Sequence, residues 1–180
     1  MNQPVGLIGL GLVGSALAER FLHAGYTVHG HDIDAASRFA LTGQGGTAHP
    51  TAGEVARSCR RIVLSLPTTE VVQSVLAEID AALQPGTIIL DTTTGEPDVM
   101  AALGHSLGQR GIAYLDATIA GSSVQVREGD VIVMLGGDKA SVEACDDLLR
   151  CFAKRSFHLG PCGAGARMKL VANLVLGLNR

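Results

Sequence analysis

The sequence predicts an α/β protein with a doubly wound, mostly parallel Rossmann-type sheet, followed by a long helix near its C-terminal end. Three observations predict this fold. Short apolar runs alternate with segments of helical length along the 180 residues, which is the pattern of repeated βαβ units. The runs are almost continuously apolar, as strands buried on both faces are. A glycine-rich turn joins the first apolar run to the first helix.

The opening segment, residues 5–32, has the order strand, glycine turn, helix, strand and acid. Its glycines follow the spacing G-x-G-x-x-G, in which the first permits the turn, the second lets a pyrophosphate approach the backbone, and the third lets the helix pack close to the strand. The helix N-terminus then offers free N–H groups to the phosphates. The acid that ends the second strand would accept hydrogen bonds from the adenosine ribose hydroxyls. The residues assigned to a dinucleotide here are Gly9, Leu10, Gly11, Leu12, Val13, Gly14 and Asp32.

The remaining elements are separated by glycine, proline and polar breaks. Helices are predicted over residues 35–41, 51–57, 68–82, 97–110 and 138–152, and strands over 46–49, 61–66, 87–91, 112–119, 131–135 and 156–159. Residues 120–130 are predicted to form a long loop. We interpret residues 1–162 as one dinucleotide-binding domain and residues 163–180 as a further helix that leaves it.

This last predicted helix carries a broad apolar face. Its apolar residues at helical spacing are Leu170, Val171, Leu174, Val175 and Leu178. Such a face normally packs against another surface. Either a partner chain covers it, in which case we expect a homo-oligomer formed through this helix, or the chain is a fragment of a longer protein.

Composition excludes several classes of function. The formal charge of −3 and the lack of a basic run argue against nucleic-acid binding. The four cysteines show no C-x-x-C spacing, which favours reduced, mostly structural thiols in the cytoplasm. Glu19 and Arg20 interrupt the first apolar stretch, so neither a signal peptide nor a membrane span is expected. His29 and His31 could suggest a metal, but the pattern around them favours polar residues at the rim of the cleft.

Four further stretches make the chain resemble the β-hydroxyacid dehydrogenases, the group that contains 3-hydroxyisobutyrate dehydrogenase and tartronate semialdehyde reductase. In chain order they are L-P at 66–67, D-T-T-T-G-E-P at 91–97, D-A-T-I-A-G-S at 116–122 and G-A-G-A-R-M-K-L-V-A-N at 163–173. The last of them matches the family's G-x-G-x-x-x-K-x-x-N-N and is the most specific. The resemblance implies that residues 163–180 are the first part of a long inter-domain helix, which in the family leads to an all-helical domain.

The resemblance also implies a reaction and a set of roles. The family moves a hydride between a nicotinamide and a small hydroxy acid, so a proton must travel with the hydride. Lys169 would be the catalytic acid/base, and Asn173, one turn further on, would orient it or the substrate. Leu66, Pro67 and Thr94 would lie beside the cofactor. The loop that contacts a small carboxylate substrate would comprise Ala120, Gly121 and Ser122, with Lys169 and Asn173 beside it.

The chain departs from the family at several positions of these motifs, among them Ser122 and Gln125, where the family has glycines. Ala120 replaces a serine that helps to bind the substrate carboxylate, Thr118 replaces a proline, and Ala172 replaces the first asparagine after the lysine. These departures leave the cofactor motif intact and bear on the identity of the substrate. Ser122 or the neighbouring serine, with backbone N–H groups of the loop, could compensate for the hydroxyl that Ala120 lacks.

The cofactor can be argued separately. Asp32 would repel a 2′-phosphate and accept a hydrogen bond from a 2′-hydroxyl, and Ile33 stands where relatives that use NADP carry an arginine. Both features favour NAD over NADP. The expected function is therefore hydride transfer between NAD and a small 3-hydroxy acid. Two alternatives stay open: an NAD-binding domain without turnover, and an enzyme like 6-phosphogluconate dehydrogenase, whose S-G-G-E substrate loop is not present.

Overall fold

A computed structural model describes residues 3–178 as an α/β fold built on one eight-stranded sheet. The strands lie in the order β3-β2-β1-β4-β5-β6-β7-β8. Their bounds are β1 Val5–Ile8, β2 Val28–His31, β3 Thr47–Ala48, β4 Arg61–Leu64, β5 Ile88–Asp91, β6 Ala113–Ala120, β7 Val131–Gly136 and β8 Ala153–His158. All neighbouring strands among these pair in parallel except β6 and β7, which are antiparallel. The mostly parallel sheet predicted from the sequence is confirmed.

The helices connect the strands and cover both faces of the sheet. Their bounds are α1 Leu12–His23, α2 Ala35–Gly43, α3 Ala52–Ser58, α4 Thr69–Ile79, α5 Pro97–Gly108, α6 Ser123–Glu128, α7 Lys139–Glu143, α8 Asp146–Phe152 and α9 Ala164–Leu178, with a 3₁₀ turn at Asp80–Ala82. Side chains that precede several of them accept hydrogen bonds from the first turn, as Asp34 does for α2 and Asp138 for α7. These caps satisfy N–H groups that have no partner inside the helix.

Alternation along the strands divides the core into two apolar layers. Leu7 belongs to a cluster that α1, α6 and α8 cover, and its neighbour Ile8 belongs to a second cluster that α3, α4 and α5 cover. In the first layer, the buried rings of Phe21 and Phe152 meet edge to face with centroids 6.0 Å apart. Truncation of either ring to alanine would cost about 3–5 kcal/mol. Helices on both faces make the sheet doubly wound.

Two predictions about the second half of the chain were wrong. Residues 120–130 are not one long loop, because α6 forms within them and the Ser122 and Gln125 side chains each bond to the other's backbone N–H in a capping box. Six residues are too few to show helical periodicity.

The single helix predicted over residues 138–152 is two helices, because Cys145 leaves helical geometry. Arg61 contacts the Ala144 carbonyl and pairs with Asp147 at this break.

Candidate functional site

The candidate site is the crevice where the order of the strands reverses. β1 has β2 on one side and β4 on the other. The registers pair Ile8 with His31 and with Leu64, so these three strands end at the same level. The chain leaves β1 and β4 toward opposite faces, which opens a crevice outside their carboxyl ends. The segments that follow these strands contain the residues predicted to hold a dinucleotide.

The glycine turn after β1 has the geometry that a nucleotide loop needs. Gly9 has φ +94°, and a Cβ there would lie 2.2 Å from the Ser65 carbonyl oxygen. A Cβ on Gly14 would lie 2.0 Å from the Gly9 carbonyl oxygen, so α1 can start against the strand only without a side chain there. A Cβ on Gly11 would meet nothing within 4 Å. The backbone at Gly11 therefore faces open space, and the cradle fits a pyrophosphate.

The side chains of the same loop divide between core and solvent. Leu10 is buried and Val13 is partly buried against the first core cluster, so both hold the turn to the sheet. Leu12 is 78% exposed at the first position of α1. Its position leaves an apolar surface beside the phosphate cradle.

Asp32 is fixed at the end of β2 by backbone N–H groups. Its Oδ2 accepts from the Leu10 N–H at 2.6 Å and its Oδ1 accepts from the Asp34 N–H at 2.9 Å. Arg38 from α2 donates to the Asp32 carbonyl oxygen at 2.6 Å. Ile33 beside it is 95% exposed. The carboxylate is thus held at the crevice next to the glycine turn, where a ribose of a bound dinucleotide would lie.

The turns after β4 and β5 are joined to each other. The Leu66 N–H donates to the Thr93 hydroxyl at 3.2 Å, and the buried Thr92 hydroxyl donates to the Leu64 carbonyl at 2.7 Å. Pro67 and Thr94 are exposed beyond these bonds. The structure therefore brings the L-P turn beside the threonine segment. Thr92 and Thr93 were not among the predicted site residues. The signal in the sequence was a pair of hydroxyl side chains directly after an apolar strand.

The predicted substrate loop follows β6. Ala120 ends the strand, Gly121 turns the chain, and Ser122 caps α6. The Ser122 hydroxyl accepts from the Gln125 N–H at 3.3 Å, and the Ser122 N–H donates to Gln125 Oε1 at 2.9 Å. The backbone N–H of Ser122 is therefore already bonded within the loop. Its hydroxyl can still donate a proton to an anion.

Lys169 and Asn173 lie one turn apart on α9, the helix that packs against β6 and β7. Lys169 is half-buried, and desolvation by burial lowers the pKa of its ammonium below the usual range. A lowered pKa favours the neutral amine, which is the form that can accept a proton. Asn173 is exposed. The last two residues of the predicted helix, 179 and 180, lie outside the described residues.

A link between β6 and α9 was missed from the sequence. The fully buried Asp116 accepts hydrogen bonds from the N–H groups of Gly163 and Ala166 at the start of α9, and Thr118 donates to the Gly165 carbonyl. These partners are separated by 47 to 50 residues in the chain. The signal available in the sequence was a buried acid inside an apolar strand, which needs a partner.

The histidines of β2 contact His49 of the next strand and turn. The His29 Nδ1 and His49 Nε2 atoms are 2.8 Å apart, and His31 Nδ1 lies 2.9 Å from the His49 carbonyl oxygen. Within residues 3–178, no cluster of three or more histidine, cysteine or acidic side chains is arranged to hold a metal ion. These imidazoles bond to one another and to the backbone instead.

The fold and crevice define a Rossmann-type dinucleotide-binding domain. Residues 4–160 match the family model described as the NAD binding domain of 6-phosphogluconate dehydrogenase, and the chain belongs to this family. It is 32% identical over 178 residues to 2-(hydroxymethyl)glutarate dehydrogenase of Eubacterium barkeri, an alignment that covers 97% of this chain and 59% of the relative. The resemblance to the β-hydroxyacid dehydrogenases is confirmed.

Solved structures agree with this placement. The 3-hydroxyisobutyrate dehydrogenase of Mycobacterium tuberculosis with L-serine superposes with a TM-score of 0.94 at 26% identity, over 98% of this chain and 60% of that one. Psf3 in complex with NADP+ and 2-OPP superposes with a TM-score of 0.91 at 26% identity, over 95% of this chain and 62% of that one. The chain thus spans about 60% of the length of these relatives. In the part of the chain that the structure describes, no helix has the length and apolarity to cross a membrane.

Proposed function

We propose that the chain is the nucleotide-binding part of an oxidoreductase that transfers a hydride between NAD and a small 3-hydroxy acid. One observation carries this proposal. Lys169 is half-buried on α9, and α9 packs against the same sheet that forms the dinucleotide crevice. A bound nicotinamide would supply the acceptor for the hydride. The chain would supply the proton transfer.

Lys169 would act on the hydroxyl of the substrate. During oxidation its neutral amine takes the hydroxyl proton, and during reduction its ammonium returns that proton to the developing alkoxide. Burial supports this role because it lowers the pKa of Lys169 and so raises the fraction of amine. Asn173, one turn away on the same helix, would orient the amine or a substrate oxygen.

The substrate class is argued from the loop after β6 and from the relatives. 2-(Hydroxymethyl)glutarate, 3-hydroxyisobutyrate and L-serine, which the relatives' descriptions name, share a hydroxymethyl group on the carbon next to a carboxylate. We propose a substrate of this type, whose carboxylate contacts the loop of Ala120, Gly121 and Ser122. Since Ala120 offers no hydroxyl, the Ser122 hydroxyl would donate the side-chain hydrogen bond.

NAD is proposed as the cofactor over NADP. The Asp32 carboxylate, held between the N–H groups of Leu10 and Asp34, would lie where a 2′-phosphate would otherwise be bound, and two like charges would repel there. The exposed Ile33 offers no cation to offset that repulsion. The nearby Arg38 guanidinium already donates to the carbonyl oxygens of Asp32 and Ile33.

Location and assembly are further parts of the proposal. The four cysteines, Cys59, Cys145, Cys151 and Cys162, are free thiols, which supports a reducing compartment such as the cytoplasm.

Within α9, Leu170, Val171 and Leu174 are each more than half exposed, which supports a homo-oligomer in which a second copy of the chain covers this helix. Light scattering of the purified chain would give its mass in solution, and a monomer at high concentration would count against the oligomer.

The test is turnover by the 180-residue chain. NADH absorbance is followed with 3-hydroxy acids that differ only in the group beside the carboxylate, and NAD binding is measured separately by calorimetry. We expect Lys169→Ala to lower kcat by roughly 10²- to 10⁴-fold and to abolish the rise of the oxidation rate with pH. Lys139→Ala is the matched control, because Lys139 lies on the surface in an i,i+4 pair with Glu143. Binding of NAD without turnover would instead favour a domain that only binds the nucleotide.

A further inference from the structure

A buried carboxylate joins the central sheet to the helix that carries Lys169. Asp116, in β6, is 0% exposed. Its Oδ1 accepts from the Gly163 N–H at 2.7 Å and its Oδ2 accepts from the Ala166 N–H at 2.8 Å. Both donors belong to the start of α9, where N–H groups have no partner within the helix and where the helix dipole favours a negative charge. Both carboxylate oxygens of Asp116 are thus bonded to this one turn.

A second side chain of β6 holds the same turn. Two residues along the strand, the Thr118 hydroxyl donates to the Gly165 carbonyl oxygen at 3.1 Å. In an α-helix that carbonyl is also the acceptor for the N–H four residues later, which belongs to Lys169. A Cβ on Gly165 would lie 2.3 Å from the Met134 carbonyl oxygen of β7, so the helix touches the sheet backbone here. We call Asp116, Thr118 and the turn from Gly163 to Ala166 the β6–α9 clamp.

Apolar packing does little to fix α9 beyond this clamp. Within Ala164–Leu178 the buried residues are Gly165 and Ala166, both inside the clamped turn. The next turns carry Met168, Leu170 and Val171 with 42%, 51% and 53% of their surfaces exposed. The Arg167–Asp98 ion pair is exposed on both sides, and such pairs contribute little. The hydrogen bonds from β6 are therefore buried polar contacts that hold the first turn of α9 on the sheet.

We propose that Asp116 and Thr118 are positioning residues for the reaction, which fix Lys169 relative to the cofactor crevice through the β6–α9 clamp. The inference rests on the proposed function of Lys169 as acid/base. Lys169 lies three residues after Ala166, one helical turn from the clamp, so a shift of that turn moves its amine directly. A displacement of about 1 Å in a reacting group can lower a rate by about 100-fold. Asp116 and Thr118 are not expected to touch the substrate.

Asp116→Asn and Thr118→Val test the clamp, with Asp138→Asn as the matched control. In Asp116→Asn the side chain keeps one acceptor oxygen, but its NH₂ group faces a backbone N–H and one hydrogen bond to α9 is lost. In Thr118→Val the side chain keeps nearly the same shape but loses the hydroxyl that donates to Gly165. Asp138 accepts from the Ser141 N–H at the start of α7 at 3.0 Å, so its variant makes the same acid-to-amide change at a helix N-terminus, but not at that of α9. We expect Asp116→Asn to lower kcat by roughly 10- to 100-fold with the KM for NAD nearly unchanged. Thr118→Val should show a smaller loss of the same kind, and the control none.

A second readout does not need turnover. The chain has three lysines, Lys139, Lys154 and Lys169, so reductive methylation with ¹³C-formaldehyde gives few NMR signals, which Lys→Arg variants assign. We expect the Lys169 signal alone to move in Asp116→Asn and Thr118→Val. In Thr118→Val, which changes no charge, its titration midpoint should rise as water reaches the amine.

The two readouts separate the possible failures. An unchanged kcat and an unchanged Lys169 signal in folded Asp116→Asn would overturn the clamp. If Asp116→Asn does not fold, the same observations on Thr118→Val decide. A wild-type chain without turnover would count against the proposed function, whereas the NMR signal of Lys169 would still support or overturn the clamp.

Discussion

The backbone N–H of Leu10 donates to the Asp32 carboxylate at 2.6 Å. This bond joins the glycine turn after β1 to the acid after β2, across two neighbouring strands. The second carboxylate oxygen is held by the Asp34 N–H at 2.9 Å. Asp32 is therefore oriented by the fold before any nucleotide binds, and ordering its side chain adds little to the entropic cost of binding.

Replacement of Asp32 should change the choice of cofactor. In Asp32→Ala the hydrogen-bond acceptor for a ribose hydroxyl and the charge that repels a 2′-phosphate are both lost. We expect affinity for NAD to fall by roughly 10- to 100-fold, the value of a hydrogen bond to a charged group, and affinity for NADP to rise relative to NAD. Calorimetric titration of both nucleotides measures the two constants.

The control for this experiment is Asp34→Ala. Asp34 is an exposed acid two residues away whose carboxylate caps α2, so this variant loses a nearby negative charge and a helix cap without touching the ribose acceptor. An NAD-to-NADP preference that shifts equally in both variants would contradict the role given to Asp32.

Alanine should have different effects at two glycines of the motif: at Gly14 it should lower the stability of the free protein, and at Gly11 it should weaken the binding of NAD. In Gly14→Ala the new Cβ would lie 2.0 Å from the Gly9 carbonyl oxygen, and forced overpacking of this kind costs about 1–3 kcal/mol or more. In Gly11→Ala the Cβ meets nothing within 4 Å, so the free protein should keep its Tm. The added methyl would instead occupy the space of the pyrophosphate. Thermal melts with and without NAD distinguish the two effects.

The expected pattern is a lower Tm without NAD for Gly14→Ala and a wild-type Tm for Gly11→Ala. The stabilisation that NAD gives to the wild type should be smaller for Gly11→Ala. If Gly11→Ala melts early in the absence of nucleotide, or if it gains as much from NAD as the wild type does, then the Gly11 backbone does not face the bound nucleotide.

The parts of the fold that local chemistry determines were predictable from the sequence. From Val5 to Asp32 each element is set by neighbours in the chain: an apolar run, a glycine turn, an amphipathic helix and a second apolar run. The parallel arrangement followed because a helix between two strands is a crossover connection, which joins strands that run in the same direction. The glycine turn after β1 and the turn after β4 lie at one edge of the sheet for the same reason, since the segments after parallel strands meet there.

The β6–α9 clamp could not be derived in this way. It depends on Asp116 meeting Gly163 and Ala166 across 47 and 50 residues, and no local pattern encodes that contact. The break at Cys145 also has a contact from a distant residue, since Arg61 from β4 donates to the Ala144 carbonyl there. Helix α6 was missed for a different reason: its Ser122–Gln125 capping signal is present in the sequence, but the helix is too short for periodicity to reveal it.

Asp91 at the end of β5 should make stability depend on pH in an unusual direction. Its carboxylate is fully buried and accepts hydrogen bonds from the Tyr114 hydroxyl and from the Thr93 N–H at 2.9 Å. Burial raises the pKa of Asp91 from 3.8 to about 6, against the lowering effect of these bonds. The native state therefore holds this proton more tightly than the unfolded chain does. The contribution of the protonated Asp91 to the free energy of unfolding is full below about pH 4 and is lost as pH rises through about 6.

The free energy of unfolding, from urea titrations between pH 4 and 7, measures this contribution as the difference between wild type and Asp91→Asn. A shift of about 2 pKa units corresponds to about 3 kcal/mol, so we expect that difference to fall by about this amount as pH rises. Asp138→Asn should give an almost flat difference over the same range, since hydrogen bonds from the Ser141 backbone and side chain lower the pKa of Asp138 below 3.8, and its contribution is lost only as pH falls further. A difference for Asp91→Asn that stays flat, or that increases with pH, would mean that Asp91 is ionised throughout this range and that the Tyr114 and Thr93 bonds outweigh its burial.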